Sequence, residues 1–354
     1  MNPKIKDLII TTALSIMLGL ICSGLLLLFL GKNPLIVYFK LFSFLFRDGY
    51  TFADIFVKAT PLIFTALAFA FTYKASLFNI GAQGQFYMGA VASLAASQLF
   101  EGVIPTPIAL ILIMFIAALA GGIWGALVGF VKARFNANDF LTSMMSVYIA
   151  LAFMNYLLRT YLVEAKHEYP QSDPILKDVF IPLLIRGTRL HWGFILAVLI
   201  AVLCWIFLYK TTVGYRVRVV GMNPVAAKFA GIQSGKIYVL AFLISGGLAG
   251  LAGFTEVNGV QHMLVQGFNP SIGAEGIGIA ILANANPIGI IFSALLFGAL
   301  KVGGSILGQT SGIPSSIIQL MEGFVMLFVI LSYFVRKKLD LHREILKLKI
   351  EEPV

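Results

Sequence analysis

Phe78-Asn79-Ile80-Gly81-Ala82-Gln83-Gly84-Gln85-Phe86-Tyr87-Met88-Gly89-Ala90 lies between two apolar runs of bilayer-spanning quality. Three glycines and three amides, Asn79, Gln83 and Gln85, fall within it. A helix facing lipid does not carry such groups, because an amide in hydrocarbon must find a partner. Inside a helical bundle glycine lets backbones approach closely, and amides bond across helices. Facing a pathway, the same amides meet a polar solute. Both readings stand on this stretch alone.

Working outward, the 354-residue chain is 59% hydrophobic and 12% charged, against about 25% charged in soluble domains. Apolar runs recur from residue 8 to residue 335. The fold class is therefore all-α, a polytopic membrane helical bundle of about ten transmembrane helices forming a single transmembrane domain, 1–354. The expected spans are Leu8–Leu30, Asp54–Thr72, the quoted motif to Phe100, Ile108–Val131, Phe140–Leu158, Trp192–Tyr209, Ile237–Thr255, a short one from Ile272, Ile288–Leu307 and Ile313–Val335. The first run is longer than a signal-peptide core and lacks a small-x-small cleavage site, so it reads as a helix. Residues 31–53 read as a loop whose apolar middle lies along the interface. Residues 159–191 mix both charge signs and read as a solvated outer loop. Asn284-Ala285-Asn286-Pro287 breaks the short span, and Arg336, Lys337 and Lys338 open a charged tail, 336–354. Cys22 and Cys204 both fall in apolar runs, so no disulfide framework is implied.

Ten spans put both termini on one side. The segments then assigned to the cytoplasm hold 16 of the 26 Lys and Arg but only six of the 16 acids, which favours N-in and C-in. The same bias accounts for the net charge of +10 without a nucleic-acid partner.

Ile272-Gly273-Ala274-Glu275-Gly276 echoes Ile80-Gly81-Ala82-Gln83-Gly84. The first copy opens a span running outward and the second a span running inward. Residues 54–160 and 237–335 thus read as inverted repeats around a shared site, with interrupted, glycine-rich helices beside it, an arrangement found in transporters. Two further glycine faces are expected to pack closely: Gly121, Gly122, Gly125 and Gly129, and the run Gly246 to Gly250.

Between the repeats, the basic segment 210–236 is too polar to span. Asn223 followed by Pro224 reads as N-cap and first helical residue. Val225 to Ala230 reads as one short helix, with Gly231 as its stop. Ala226 and Ala227 are small enough for close approach to a soluble partner. A docking knob and an amphipathic loop on lipid headgroups are both open from the pattern.

Together, LFNIGAQGQFYMGA, GYRVRVVGMNPVAAKFAGI and EVNGVQHMLVQGFNPSIGAEGIGIAILANANPIGI resemble ABC importer permeases of the ribose and branched-chain amino-acid class, most of all the nucleoside subgroup. The likeness runs from about Thr60 to Val335. It implies a type II importer fold and a cytoplasmic ABC ATPase gripping Asn223, Pro224, Ala226, Ala227 and Gly231. It also implies a substrate-binding lipoprotein outside, a second and different permease chain, and a prokaryotic plasma-membrane location. ATP and Mg would sit on the ATPase, leaving this chain with no cofactor. Asn79, Gln83, Gln85, Glu256, Asn258 and Glu275 are the candidate pathway residues for a small neutral solute, a nucleoside first and a ribose-like sugar second. Gln83 stands where similar proteins often have Glu.

Other chemistry is poorly served. Gly303 to Thr310 nearly spells a P-loop, but Gln309 replaces its lysine and the run ends an apolar span. His167, His191, His262 and His342 are scattered, with no H-E-x-x-H, and no G-x-S-x-G occurs. The chain therefore reads as a transport subunit and not an enzyme. An ion-coupled secondary transporter would need deep ionisable groups; Asp54, Glu256, Glu275 and Glu322 are the candidates, and only Glu322 falls inside a span.

Overall fold

A computed structural model describes residues 3–29, 31–45, 48–311, 317, 319–328 and 330–332. The charged tail 336–354 and both ends of the expected tenth span, 313–316 and 333–335, lie outside them. The described residues are helical with no strand, carrying only isolated bridges at Gln171–Val265 and Leu183–His191. Among the described residues, six helices are long and apolar enough to cross a membrane.

The chain divides into two compact units. One holds residues 1–48 and 300–354. Here α1 (Pro3–Phe29) and α2 (Pro34–Leu45) form a helical hairpin in which the Tyr38 hydroxyl donates to the Leu20 carbonyl at 2.5 Å. Gly19 lies against the backbone of Val325, and Ser23 donates to the Gly19 carbonyl at 2.7 Å. The segment expected as an interfacial loop is thus largely helix α2.

The other unit, Gly49–Ala299, holds α3 (Gly49–Lys74), α4 (Ala82–Phe100), α5 (Thr106–Phe135), α6 (Asp139–Thr160), α7 (Gly193–Lys210), α8 (Thr212–Met222), α9 (Pro224–Phe229), α10 (Ser234–Glu256), α11 (Ile272–Leu282) and most of α12 (Pro287–Ser311). The apolar stretch of α3 is 89% buried, whereas those of α6 and α7 are 28% buried. So α3 is an axis, and α6 and α7 turn most of their surface outward, as lipid-facing helices do. The six spanning candidates are α3, α5, α6, α7, α10 with its continuation, and α12. The 19-residue α4 and 11-residue α11 are not among them.

The two expected glycine faces meet each other. A Cβ on Gly121, Gly125, Gly246 or Gly250 would overlap the backbone of the opposite helix, so α5 and α10 touch main chain to main chain. Gly89 of α4 lies on Gly250, and Gly253 lies on Phe86 and Ala90, which adds α4 to the same close-packed core. Gly276 of α11 lies on Thr65 of α3. The helix pairs are crossed: α4 packs on α10 far more than on α3, and α11 packs on α3.

Local caps follow the residues. Asn138 accepts from the Phe140 and Leu141 amides and starts α6. Asn223 accepts from Val225 and Ala226 at 2.9 and 3.0 Å and starts α9, and Gly231 beyond it has φ +75°, as a helix stop requires. The sequence reading missed α8, which Thr211 caps. It also missed the π-helical turn Val257–Gln261 that prolongs α10 before His262 leaves it at φ +60°.

Candidate functional site

Two ends of the larger unit frame its polar interior. The basic end carries Lys74, Lys132, Lys210 and Lys236 with the short helices α8 and α9. The loop-rich end carries residues 101–105, 161–192 and 262–271.

At the basic end α3 stops with Ser76 in the left-handed region, and residues 75–81 run without regular structure to α4. Their amides are claimed from the side: Phe78 donates to the Asp139 carboxylate at 2.6 Å and Ile80 to the Ser143 hydroxyl at 3.2 Å. Asn79 is fully buried. Its Nδ2 donates to Gln85 Oε1 at 3.0 Å and to Ser245 Oγ at 2.8 Å, and Ser245 donates to the Ala68 carbonyl at 2.6 Å. One node thus ties α3, α4 and α10 to the start of the motif.

Gln83 belongs to a second node. Its Oε1 accepts from the Gly273 amide at 2.6 Å and its Nε2 donates to the Asn269 carbonyl at 2.8 Å. The first copy of the repeated motif therefore supplies the N-terminal cap of the helix opened by the second, satisfying one of the amides left over at any helix start. Gly273 itself rests on the Gln83 backbone, Thr65 Oγ1 reaches the Ile272 carbonyl at 3.2 Å, and Phe86 stacks on Phe268 at 5.3 Å between centroids. Glu275, half-buried in the first turn of α11, accepts from the Ser271 hydroxyl at 2.6 Å. Its negative charge suits the positive end of that helix.

Asn258 lies apart, in the π turn. Its Oδ1 accepts from Ser93, and its Nδ2 donates to Ser97 at 2.7 Å and to the Val179 carbonyl at 2.9 Å. It pins the loop carrying Val179 to α4. Glu256, the residue that ends α10, is 4% exposed, and no hydrogen bond or ion pair of its carboxylate occurs among the described residues. The six candidates are therefore spread over an inner node (Asn79, Gln85), a seam between the two motif copies (Gln83, Glu275) and the region of the π turn (Glu256, Asn258).

Sequence reasoning overlooked a histidine pair at the loop-rich end. His191 is 1% exposed, accepts from the Gly193 amide at 3.1 Å and lies on Gly259 of the π turn. Its burial, aided by neighbouring His262, pushes its pKa down to about 4. His262 stacks on Phe180 at 3.5 Å, and burial, aided by Arg189, lowers its pKa too. No group of three or more metal-ligating side chains occurs among the described residues.

On α9 the small residues divide. Ala226 is exposed, but Ala227 is fully buried against Val217, Val220 and Ala241. Its smallness therefore seats α9 on its own bundle. What α8 and α9 present outward is Phe229 (90% exposed), Met222 (84%) and Val225, residues the sequence reading passed over. Apolar side chains in a segment too polar to span were the available clue.

The chain matches the family model "Branched-chain amino acid transport system / permease component" over residues 51–331. It belongs to this permease family. Along 91% of its length it is 34% identical to the guanosine ABC transporter permease protein NupP of Bacillus subtilis, covering 93% of that protein. It is 30% identical to the glucose ABC transporter permease protein TsgB13 of Haloferax volcanii, over 92% of this chain and 88% of that one. It is 28% identical to the nucleoside ABC transporter permease protein NupB of Lactococcus lactis, over 95% and 94%. The fold described above is accordingly that of an ABC permease, a multi-pass membrane protein, and the nodes at Asn79 and Gln83 lie in its helical core.

Proposed function

We propose that this permease forms the translocation pathway of an ATP-driven nucleoside importer, with the seam between Gln83 and the Gly273–Glu275 turn as the part of the pathway lining that changes during transport. The observation that carries the solute class is end-to-end similarity to a guanosine permease. Neutral amides at the core agree with it, since an anionic solute calls for a basic pocket.

In this reading the basic end faces the cytoplasm, both termini lie there, and about ten helices cross the bilayer. Residues 54–160 and 237–335 are the inverted repeats. The crossed packing, α4 on α10 and α11 on α3, supports that exchange. A cytoplasmic ATPase, which binds ATP and Mg, docks on α8 and α9 through Phe229, Met222 and Val225, held in place by Asn223, Pro224 and Gly231. A second permease and an external receptor complete the assembly.

The test is uptake of labelled guanosine into vesicles holding the reconstituted assembly. Uptake should require ATP and the ATPase, and this chain alone should show none; ATP-dependent uptake by the chain alone would end the proposal. Uptake driven by an ion gradient without ATP would favour a secondary transporter instead. Similarity to a glucose permease gives a second reading, which glucose competing with guanosine would favour.

A further inference from the structure

The exposed surface of α8 and α9 and the buried Asn79 node are joined by a short, unbroken set of contacts. Gly221, in the last turn of α8, lies so close to the Lys74 carbonyl and Ala75 that a Cβ there would overlap the carbonyl oxygen. Val217 and Val220 of α8 and Ala227 of α9 are buried in one apolar cluster with Ala75 and Leu77. Two residues beyond Leu77 stands Asn79, bonded to α4 and α10. On the other side of the segment, Asp139 holds the Phe78 amide with one oxygen, while its second oxygen meets Lys132 Nζ at 3.1 Å.

A main-chain contact has no side chain that can rotate out of the way, and packed interiors transmit displacement instead of absorbing it. A movement of α8 must therefore reach Lys74 and Ala75. The charge-assisted bond at Phe78 fixes the next point along the chain. Between these two points the backbone can only turn, and turning it changes the Asn79 bonds to Gln85 and Ser245.

We propose that Gly221 and Asp139 are positioning residues that make segment 75–81 the lever between the docking helices and the polar core. The inference rests on the reading of α8 and α9 as the ATPase-docking surface. Gly221 supplies the push and Asp139 the pivot. Neither touches solute.

The assembled transporter in lipid nanodiscs tests this by hydrogen–deuterium exchange on peptides covering residues 75–83, with and without ATP, alongside uptake. The native assembly should show a nucleotide-dependent change in exchange there. Gly221→Ala should keep the ATPase bound, lose that change and lower the uptake rate about tenfold, with the half-saturating concentration of loaded receptor little altered. Asp139→Asn, which leaves the α8 contact intact, should blunt the same response, and Asp139→Glu should restore part of it. Gly235→Ala, where a Cβ meets nothing nearer than 3.4 Å, should transport as native. If Gly221→Ala does not fold, Asp139→Asn decides alone. Native exchange indifferent to nucleotide, or native uptake in Gly221→Ala or Asp139→Asn with the ATPase bound, overturns the lever alone. Failure of the native chain to retain any ABC ATPase overturns the lever and the docking surface together.

Discussion

The two copies of the glycine motif share four of five residues, yet they are seated differently. In Ile80–Gly84 the glycines fit α4 against α6, where Gly81 faces Ser143 and Ser146 and Gly84 faces Val147. In Ile272–Gly276 they fit α11 against two other helices, Gly273 on Gln83 of α4 and Gly276 on Thr65 of α3. The polar residue at the fourth position differs as well. Gln83 reaches across to cap the other copy, while Glu275 bonds with Ser271 one turn away. A shared pattern secures close packing, and the neighbours decide what the packing holds.

Acid should separate the copies most. The loop leading to the second copy is tied to the His191–His262 pair, with Arg189 beside it; among the described residues, the contacts given above for the first copy include no histidine. The His191 pKa lies at about 4, below its ordinary 6.5. Its neutral form therefore contributes stability that is complete above pH 6.5 and is lost as pH falls toward 4. A shift of this size is worth about 3 kcal/mol. Thermal melting of the purified chain between pH 7.5 and 4.5 should follow that slope, and His191→Phe should flatten it. Exchange protection should fall first in residues 257–271, not in 75–90. Equal loss in both regions would erase the distinction.

Alanine substitutions sharpen it next. At Gly273 a Cβ would lie 2.5 Å from the Gln83 amide nitrogen, a backbone atom that cannot step aside. At Gly81 its nearest contacts are 3.0 Å away and include two side chains. Gly273→Ala should cost about 2–3 kcal/mol and Gly81→Ala less than about 1 kcal/mol, read from melting in detergent. The reverse order would mean that the first copy is the tighter seat.

The smallest effect concerns the cap. Gln83→Leu leaves the Gly273 amide and Asn269 carbonyl without partners and should cost about 2 kcal/mol. Gln83→Glu keeps an acceptor for Gly273 and places negative charge at a helix start, but it loses the donor to the Asn269 carbonyl, so its cost should be about 1–2 kcal/mol, below that of Gln83→Leu. Identical melting of all three proteins would remove Gln83 from the link between copies.

Much of this was legible in the sequence where the rule is local. Asn223-Pro224 specified the start of α9 and Gly231 its end, because a cap needs only its own amides and a left-handed residue. The glycine faces on α5 and α10 were legible as close-packing surfaces, since spacing defines a face. That they meet each other was not, because spacing names no neighbour. The same limit hid the direction of Ala227: smallness fits an outward dock and an inward seat equally well, and only the cluster with Val217 and Val220 decides. It also hid His191, whose behaviour comes from a loop folding onto the π turn from far along the chain.

The inner node bears on how the protein enters the membrane. Ser245 follows Asn79 by 166 residues. During synthesis Asn79 and the adjoining α4 are therefore complete long before Ser245 of α10 exists. An unmet amide in hydrocarbon costs several kcal/mol, so α4 needs shelter in the interval, at the insertion channel or against α3 and α5. The 11 residues of α11 extend about 16 Å, half of a hydrocarbon core of about 30 Å. It too cannot be inserted as an independent span and must be carried in by its neighbours. The helices that hold the polar core thus wait for partners made later in the chain.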